Sequence, residues 1–180
     1  MRSLTLPLLF STLLLAGCGV LPHGKSERNP RPEPAAATSA FSSTSARQCL
    51  ADLGDAGVRY QALPNREFGG GCRTVDTVQL LDIGVPTTNL GALTCPLAAG
   101  FSAWARYAVQ PAARQMLGSD VVKIETMGTY ACRNINGAGS GKLSQHALAN
   151  AVDVSAFVLR DGRRVSVERG WNGDPREQAF

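Results

Sequence analysis

The run Ser144-Gln145-His146-Ala147-Leu148-Ala149-Asn150-Ala151-Val152-Asp153 decides how this chain is read. It carries one of only two histidines in the sequence, followed seven residues later by an aspartate. On a single helix His146 and Asp153 would share a face but sit about 10 Å apart along the axis. Along a single strand they would be further apart and on opposite faces. To share one metal ion, with His and Asp ligands at about 2.0–2.2 Å, they need a turn between them. Ala147, Ala149, Asn150 and Ala151 are small enough to pass close to other backbone and make that turn. His146 is therefore expected on a loop or short helical turn, and Asp153 at the start of a strand that folds back towards it. The plain alternative is an ordinary buried hydrogen-bonded pair.

Downstream, Val152–Leu159 and Arg163–Val167 bracket Asp161-Gly162, the pattern of a β-hairpin. Upstream, Val121–Met127 reads as a strand, and residues 134–141 as a glycine-rich loop. Pro96–Leu117 is the best helix. Leu97, Phe101, Trp104, Ala108, Ala112 and Met116 recur at intervals of three and four, with Phe101 and Trp104 as core; Pro111 should kink or divide it, and Gly118 should stop it. Nearer the N-terminus, Ala46–Asp55 reads as a short helix with Cys49, Leu50 and Leu53 on one face. Val58–Leu63 and Val75–Leu81 read as short strands around a Gly69-Gly70-Gly71 turn. These glycines lack the Lys-Ser/Thr of a phosphate loop. Helices followed by sheet elements, without βαβ alternation, predict a small single α+β domain with N-terminal helices packed on an antiparallel sheet.

Residues 1–17 read as an export signal: Arg2, an apolar stretch from Leu4 to Leu15, then Leu15-Ala16-Gly17-Cys18. The stretch is shorter than the roughly 20 apolar residues of a membrane span. The tetrapeptide resembles a bacterial lipobox, which implies lipidation of Cys18 and a periplasm-facing membrane anchor, with Gly19 pointing to the outer membrane. Residues 18–46, rich in Pro, Ala and Ser, read as a disordered linker that includes His23. The folded part is then residues 47–180. Four cysteines remain after Cys18 in an exported chain, favouring two disulfides over metal ligation. They allow three connectivities; Cys49–Cys72 with Cys95–Cys132 is expected because each closes a local unit. The formal net charge of +4 is mild and its basic residues are scattered, which excludes a nucleic-acid stripe.

Ser144-x-His146-x6-Asp153 resembles the Ser-x-His-x-x-Gly-x-Ala-x-Asp motif of the zinc D-Ala-D-Ala carboxypeptidase and dipeptidase superfamily, which shares the Hedgehog-type fold. Further runs, Leu93-Thr94-Cys95-Pro96-Leu97, Val109-Gln110-Pro111-Ala112-Ala113, Tyr130-Ala131-Cys132-Arg133 and Asp161-Gly162-Arg163, make the chain most similar to the bacterial extensin-like protein C-terminal family over residues 47–180. The resemblance implies that His146 and Asp153 are zinc ligands, that Ser144 supports their loop, and that Arg133 steadies a substrate carboxylate or developing oxyanion. Ala149 stands where the peptidases have glycine, a departure that the extensin-like branch shares. The third zinc ligand and the general base of the superfamily come from further along the chain, and no histidine follows His146 here.

Asp174-Pro175-Arg176-Glu177 reads as a helix start: an aspartate N-cap, proline at the first position and glutamate at the third. The chain stops three residues later. The expectation is a domain missing its closing helix and His-rich strand. The expected function is that of an envelope lipoprotein whose zinc metallopeptidase-like domain acts on peptidoglycan peptides when complete. The alternative is a non-catalytic peptidoglycan-binding or structural lipoprotein. This chain by itself is expected to be inactive.

Overall fold

The structure is a computed structural model and describes residues 41–180. The export segment, Cys18, His23 and most of the expected linker lie outside the described residues. The fold reaches back into the end of that linker. Phe41 is buried, and its N–H donates to Asp76 Oδ1 at 2.8 Å. Helix α1, Thr44–Asp55, begins two residues before the expected Ala46 because Ser43 caps it, its hydroxyl accepting from the Ala46 N–H. Gly57, at φ 71°, turns the chain into the first strand.

In chain order there follow β1 (Arg59–Ala62), β2 (Arg66–Glu67), β3 (Arg73–Thr74), β4 (Thr77–Asp82), β5 (Thr87–Thr88) and β6 (Leu93–Thr94). Strands β2 and β3 form a small hairpin whose turn is Gly69-Gly70-Gly71, all three at positive φ. Strands β1, β4 and β6 form an antiparallel sheet in that order. After the central helix come β7 (Val121–Gly128), β8 (Asp153–Leu159), β9 (Arg164–Ser166) and two short helices. The second sheet runs β5-β7-β8-β9, with β8 and β9 joined at the Asp161-Gly162 turn. It is mixed where an antiparallel sheet was expected: β5 lies parallel to β7, a pairing made possible by the helix that intervenes in the chain. The domain is α+β.

The central helix corrects two expectations. It starts at α2, Cys95–Trp104, and Pro111 neither ends nor breaks it. The run passes through a π turn at Ala105–Val109, the short helix α3 at Gln110–Ala112, and a second π turn at Ala113–Leu117. Pro111 lacks an N–H and crowds the carbonyl four residues back; widened turns on either side absorb both. The buried face is also rotated from the expected one. Ala98, Phe101, Ala105, Val109, Ala113 and Leu117 are buried, whereas Trp104 is 39% exposed. From Phe101 onward these positions recur every fourth residue. Regular α turns would drift about 40° at each such step, so the π turns keep the stripe on the sheet. Gly118, at φ 69°, ends the helix as expected.

The helix stripe packs with Leu53 of α1, Val78 and Leu93 of the first sheet, and Ile124 and Leu159 of the second. Two disulfides staple this core, with a connectivity other than the expected one. Cys49 pairs with Cys95, and Cys72 with Cys132, across 46 and 60 residues. The physical reason is tertiary. Helix α1 lies against the start of α2, bringing Cys49 to Cys95. The β2–β3 hairpin lies against the segment after β7, bringing Cys72 to Cys132. The loop-entropy relation gives about 4 kcal/mol for each. Short helices α4 (Val167–Gly170) and α5 (Pro175–Ala179) finish the described chain. Asp174 caps α5 as expected, accepting from the Arg176 and Glu177 N–H groups. No helix among the described residues is long and apolar enough to cross a membrane.

Candidate metal centre

Beyond β7 the chain bends at Thr129 and runs on to Arg133 without regular structure, and residues 142–149 return alongside it. The Ser144 N–H donates to the Arg133 carbonyl at 3.0 Å, the Ile135 N–H to the Lys142 carbonyl at 3.0 Å, and the Ala131 N–H to the His146 carbonyl at 3.2 Å. The exposed loop between them holds a single 3-10 turn at Ile135–Gly137. On the returning arm Gln145–Leu148 winds into a second 3-10 turn. Ser144 caps it, its hydroxyl accepting from the His146 N–H at 3.3 Å. Ala149 closes it in the left-handed region at φ 53°, although fully buried. Its carbonyl accepts from the Thr94 N–H, and Asn150 links Gln145 to the Thr94 hydroxyl. Three residues later β8 begins at Asp153, in register with Gly128.

This turn brings together the two residues that neither a helix nor a strand could join. His146 Nε2 lies 3.3 Å from Asp153 Oδ2, the histidine side chain 11% exposed and the aspartate 46% exposed. His146 Nδ1 lies 3.0 Å from the Thr129 carbonyl. A carbonyl can only accept, so Nδ1 donates to Thr129, and Nε2 is the ring nitrogen turned to the carboxylate. A nitrogen and a carboxylate oxygen at that separation are satisfied either by a proton on Nε2, as an ordinary ion pair, or by a metal ion that both ligate. Across a tetrahedral zinc site with bonds near 2.0–2.1 Å, neighbouring ligand atoms stand about 3.3 Å apart. The Thr129 carbonyl also supplies the outer hydrogen bond that commonly fixes a metal-binding imidazole. The pair therefore fits zinc as two ligands. A catalytic zinc takes three from the protein. Among the described residues no group of three His, Cys, Asp or Glu side chains stands close enough to hold a metal.

The other expected site residues fall differently. Ser144 is buried and spends its hydroxyl on the His146 backbone, which is a positioning role. Arg133 contributes its backbone to the same arm, but its exposed side chain makes no hydrogen bond or ion pair among the described residues, so the structure does not bring its guanidinium to the pair. Thr129 was absent from the sequence-based set. It acts through a backbone carbonyl, which has no side-chain signature; its position directly after the strand-ending Gly128 was the only cue.

One family, described as extensin-like protein C-terminus, matches residues 47–180. No curated protein and no solved structure matches the chain.

Proposed function

We propose that this chain, which belongs to the extensin-like protein C-terminal family, is a lipid-anchored envelope protein whose domain is built as a zinc metallopeptidase acting on peptidoglycan peptides. Support comes foremost from His146, held by Thr129 through one ring nitrogen and facing Asp153 with the other. The likeness of Ser144-x-His146-x6-Asp153 to the zinc D,D-peptidase motif supplies the reaction class, and the lipobox-like Leu15-Ala16-Gly17-Cys18 supplies the location. Bound zinc in such a centre lowers the pKa of its water and polarises a carbonyl. The residues present do the preparatory work. Thr129 orients the imidazole, Ser144 caps the 3-10 turn that carries His146, and Asp153 adds the negative charge that favours a cation.

Two ligands are too few for that chemistry, and no hydrolytic step is assigned to the described residues. A third donor, when supplied, should convert weak binding into tight binding. Free imidazole can act as that donor. Zinc titrations of the full chain with and without imidazole test the reading. Weak binding that tightens with imidazole and disappears in His146→Ala supports it. Indifference of zinc binding to His146 sinks it.

A second reading has its own observation. With no three-ligand cluster among the described residues, the domain suits non-catalytic attachment to the wall. Co-sedimentation with sacculi in the presence of a chelator favours this reading over hydrolysis.

A further inference from the structure

The mouth of the β2–β3 hairpin forms an open cleft of about 470 Å³ whose wall includes Thr129, the residue whose carbonyl holds His146. Leu63, Pro64, Phe68 and Tyr130 make it largely apolar. Arg66 is the single charged residue lining it, and its exposed guanidinium has no acidic partner among the described residues. Tyr130 stacks on Phe68 with ring centroids 5.1 Å apart, and its hydroxyl is buried with no hydrogen-bond partner. Phe68 is itself 49% exposed, so its ring can move without unpacking the core. A phenol is protonated at neutral pH, and burial pushes the Tyr130 pKa further up, so its hydroxyl can donate.

The cleft is also a held structure. The Cys72–Cys132 disulfide ties the hairpin bearing Arg66 and Phe68 to the segment bearing Tyr130. Packing at the hairpin's other end is tight: a Cβ on Gly71 would come within 2.8 Å of Leu143 Cδ1.

We propose that this cleft is a binding subsite for the carboxylate end of a short peptide with small apolar side chains. Arg66 pairs with the carboxylate, the Tyr130 hydroxyl donates to it once Phe68 moves, and Leu63 and Pro64 cover the side chain. A cation with no acid beside it selects an anion; the apolar wall rejects a bare, fully hydrated one. The ligand class rests on the reading that this domain handles wall peptides, but the binding itself needs no metal.

The test is an amide-resonance NMR titration of the full chain, with chelator present, using N-acetyl-alanyl-alanine and its C-terminal amide. Chelation keeps a failure of the zinc reading separate from a failure of this one. A charge-assisted pair predicts that the acid binds about tenfold tighter than the amide, with shifts centred on Gly91, Thr129 and Tyr130. Arg66→Gln should erase the preference, Arg66→Lys should keep part of it, and Tyr130→Phe should weaken the acid alone. Equal affinity for acid and amide, shifts confined to another surface, an unchanged preference in Arg66→Gln, or no binding at the solubility limit would each overturn the proposal.

Discussion

Replacing Cys72 and Cys132 together by serine tests how the hairpin is attached. The bond closes a loop across 60 residues. The chain-entropy relation, −2.1 − 1.5R ln n cal/mol/K, gives about 4 kcal/mol at 25 °C for such a loop. Residual structure in the denatured chain lowers that figure, so a loss of about 3 kcal/mol is expected in urea unfolding. For a domain of this size that corresponds to a drop in Tm of roughly 10 °C. The loss should have a local companion. Strands β2 and β3 contribute only two residue pairs and pack little core, so without the bond the amides of residues 66–74 should exchange faster than those of β7 and the central helix. A loss under about 1 kcal/mol would refute the entropic reasoning. Unchanged hairpin exchange would refute the claim that the bond holds the cleft. Peptide mapping that joined Cys49 to Cys72 would refute the connectivity itself.

Tyr130→Phe removes a buried hydroxyl without a partner, and should leave stability unchanged or raise it by up to about 1 kcal/mol in urea unfolding. Ala149 sits at φ 53° and is fully buried, so Ala149→Gly should stay within about 1 kcal/mol of the parent. Ala149→Val, β-branched in the same backbone region, should lose more than about 2 kcal/mol; equal stability of the two variants would show that the left-handed turn is not required. Acid stability has a definite sign. Hydrogen bonds from Arg114 and Arg160 hold Asp120 below its ordinary 3.8, and those from Lys123 and Arg164 hold Glu125 below 4.5. Folded-state values lowered in this way stabilise the fold above the unfolded pKa and lose that effect as pH falls through the folded one. Unfolding midpoints should therefore decline from about pH 4.5 downward, less steeply in high salt and in an Asp120→Asn/Glu125→Gln variant, because these groups are partly exposed and their ion pairs are screened.

Much of the fold was legible because local chemistry agreed with the tertiary answer. Gly118 and Asp174 stop or cap helices through local geometry, and Asp161-Gly162 turns a hairpin by the same local logic. The misread cysteine pairing and sheet direction depended on distant partners, whereas the helix face depended on Pro111 within the helix itself. Cysteine pairing followed the packing of α1 on α2 and of the hairpin on the segment after β7, which no spacing encodes. The helix stripe moved by one position because Pro111 induced π turns, and a 3.6-residue period assumes there are none. The parallel β5–β7 contact involves a strand of only two residues, too short to carry a pattern. At the site, the need for a turn between His146 and Asp153 followed from reach alone. The Thr129 carbonyl and the orphaned Tyr130 hydroxyl did not, because one is backbone and the other is conspicuous only once its surroundings are packed.

The most direct test of the proposed metal site at His146 and Asp153 is a cobalt titration of the full chain followed by visible absorption, with imidazole as an added donor. The account predicts a weak d–d spectrum that intensifies and saturates at lower metal concentration with imidazole. The spectrum should vanish in His146→Ala and weaken in Asp153→Asn. A spectrum that survives both substitutions, or one that imidazole leaves unchanged, would contradict it.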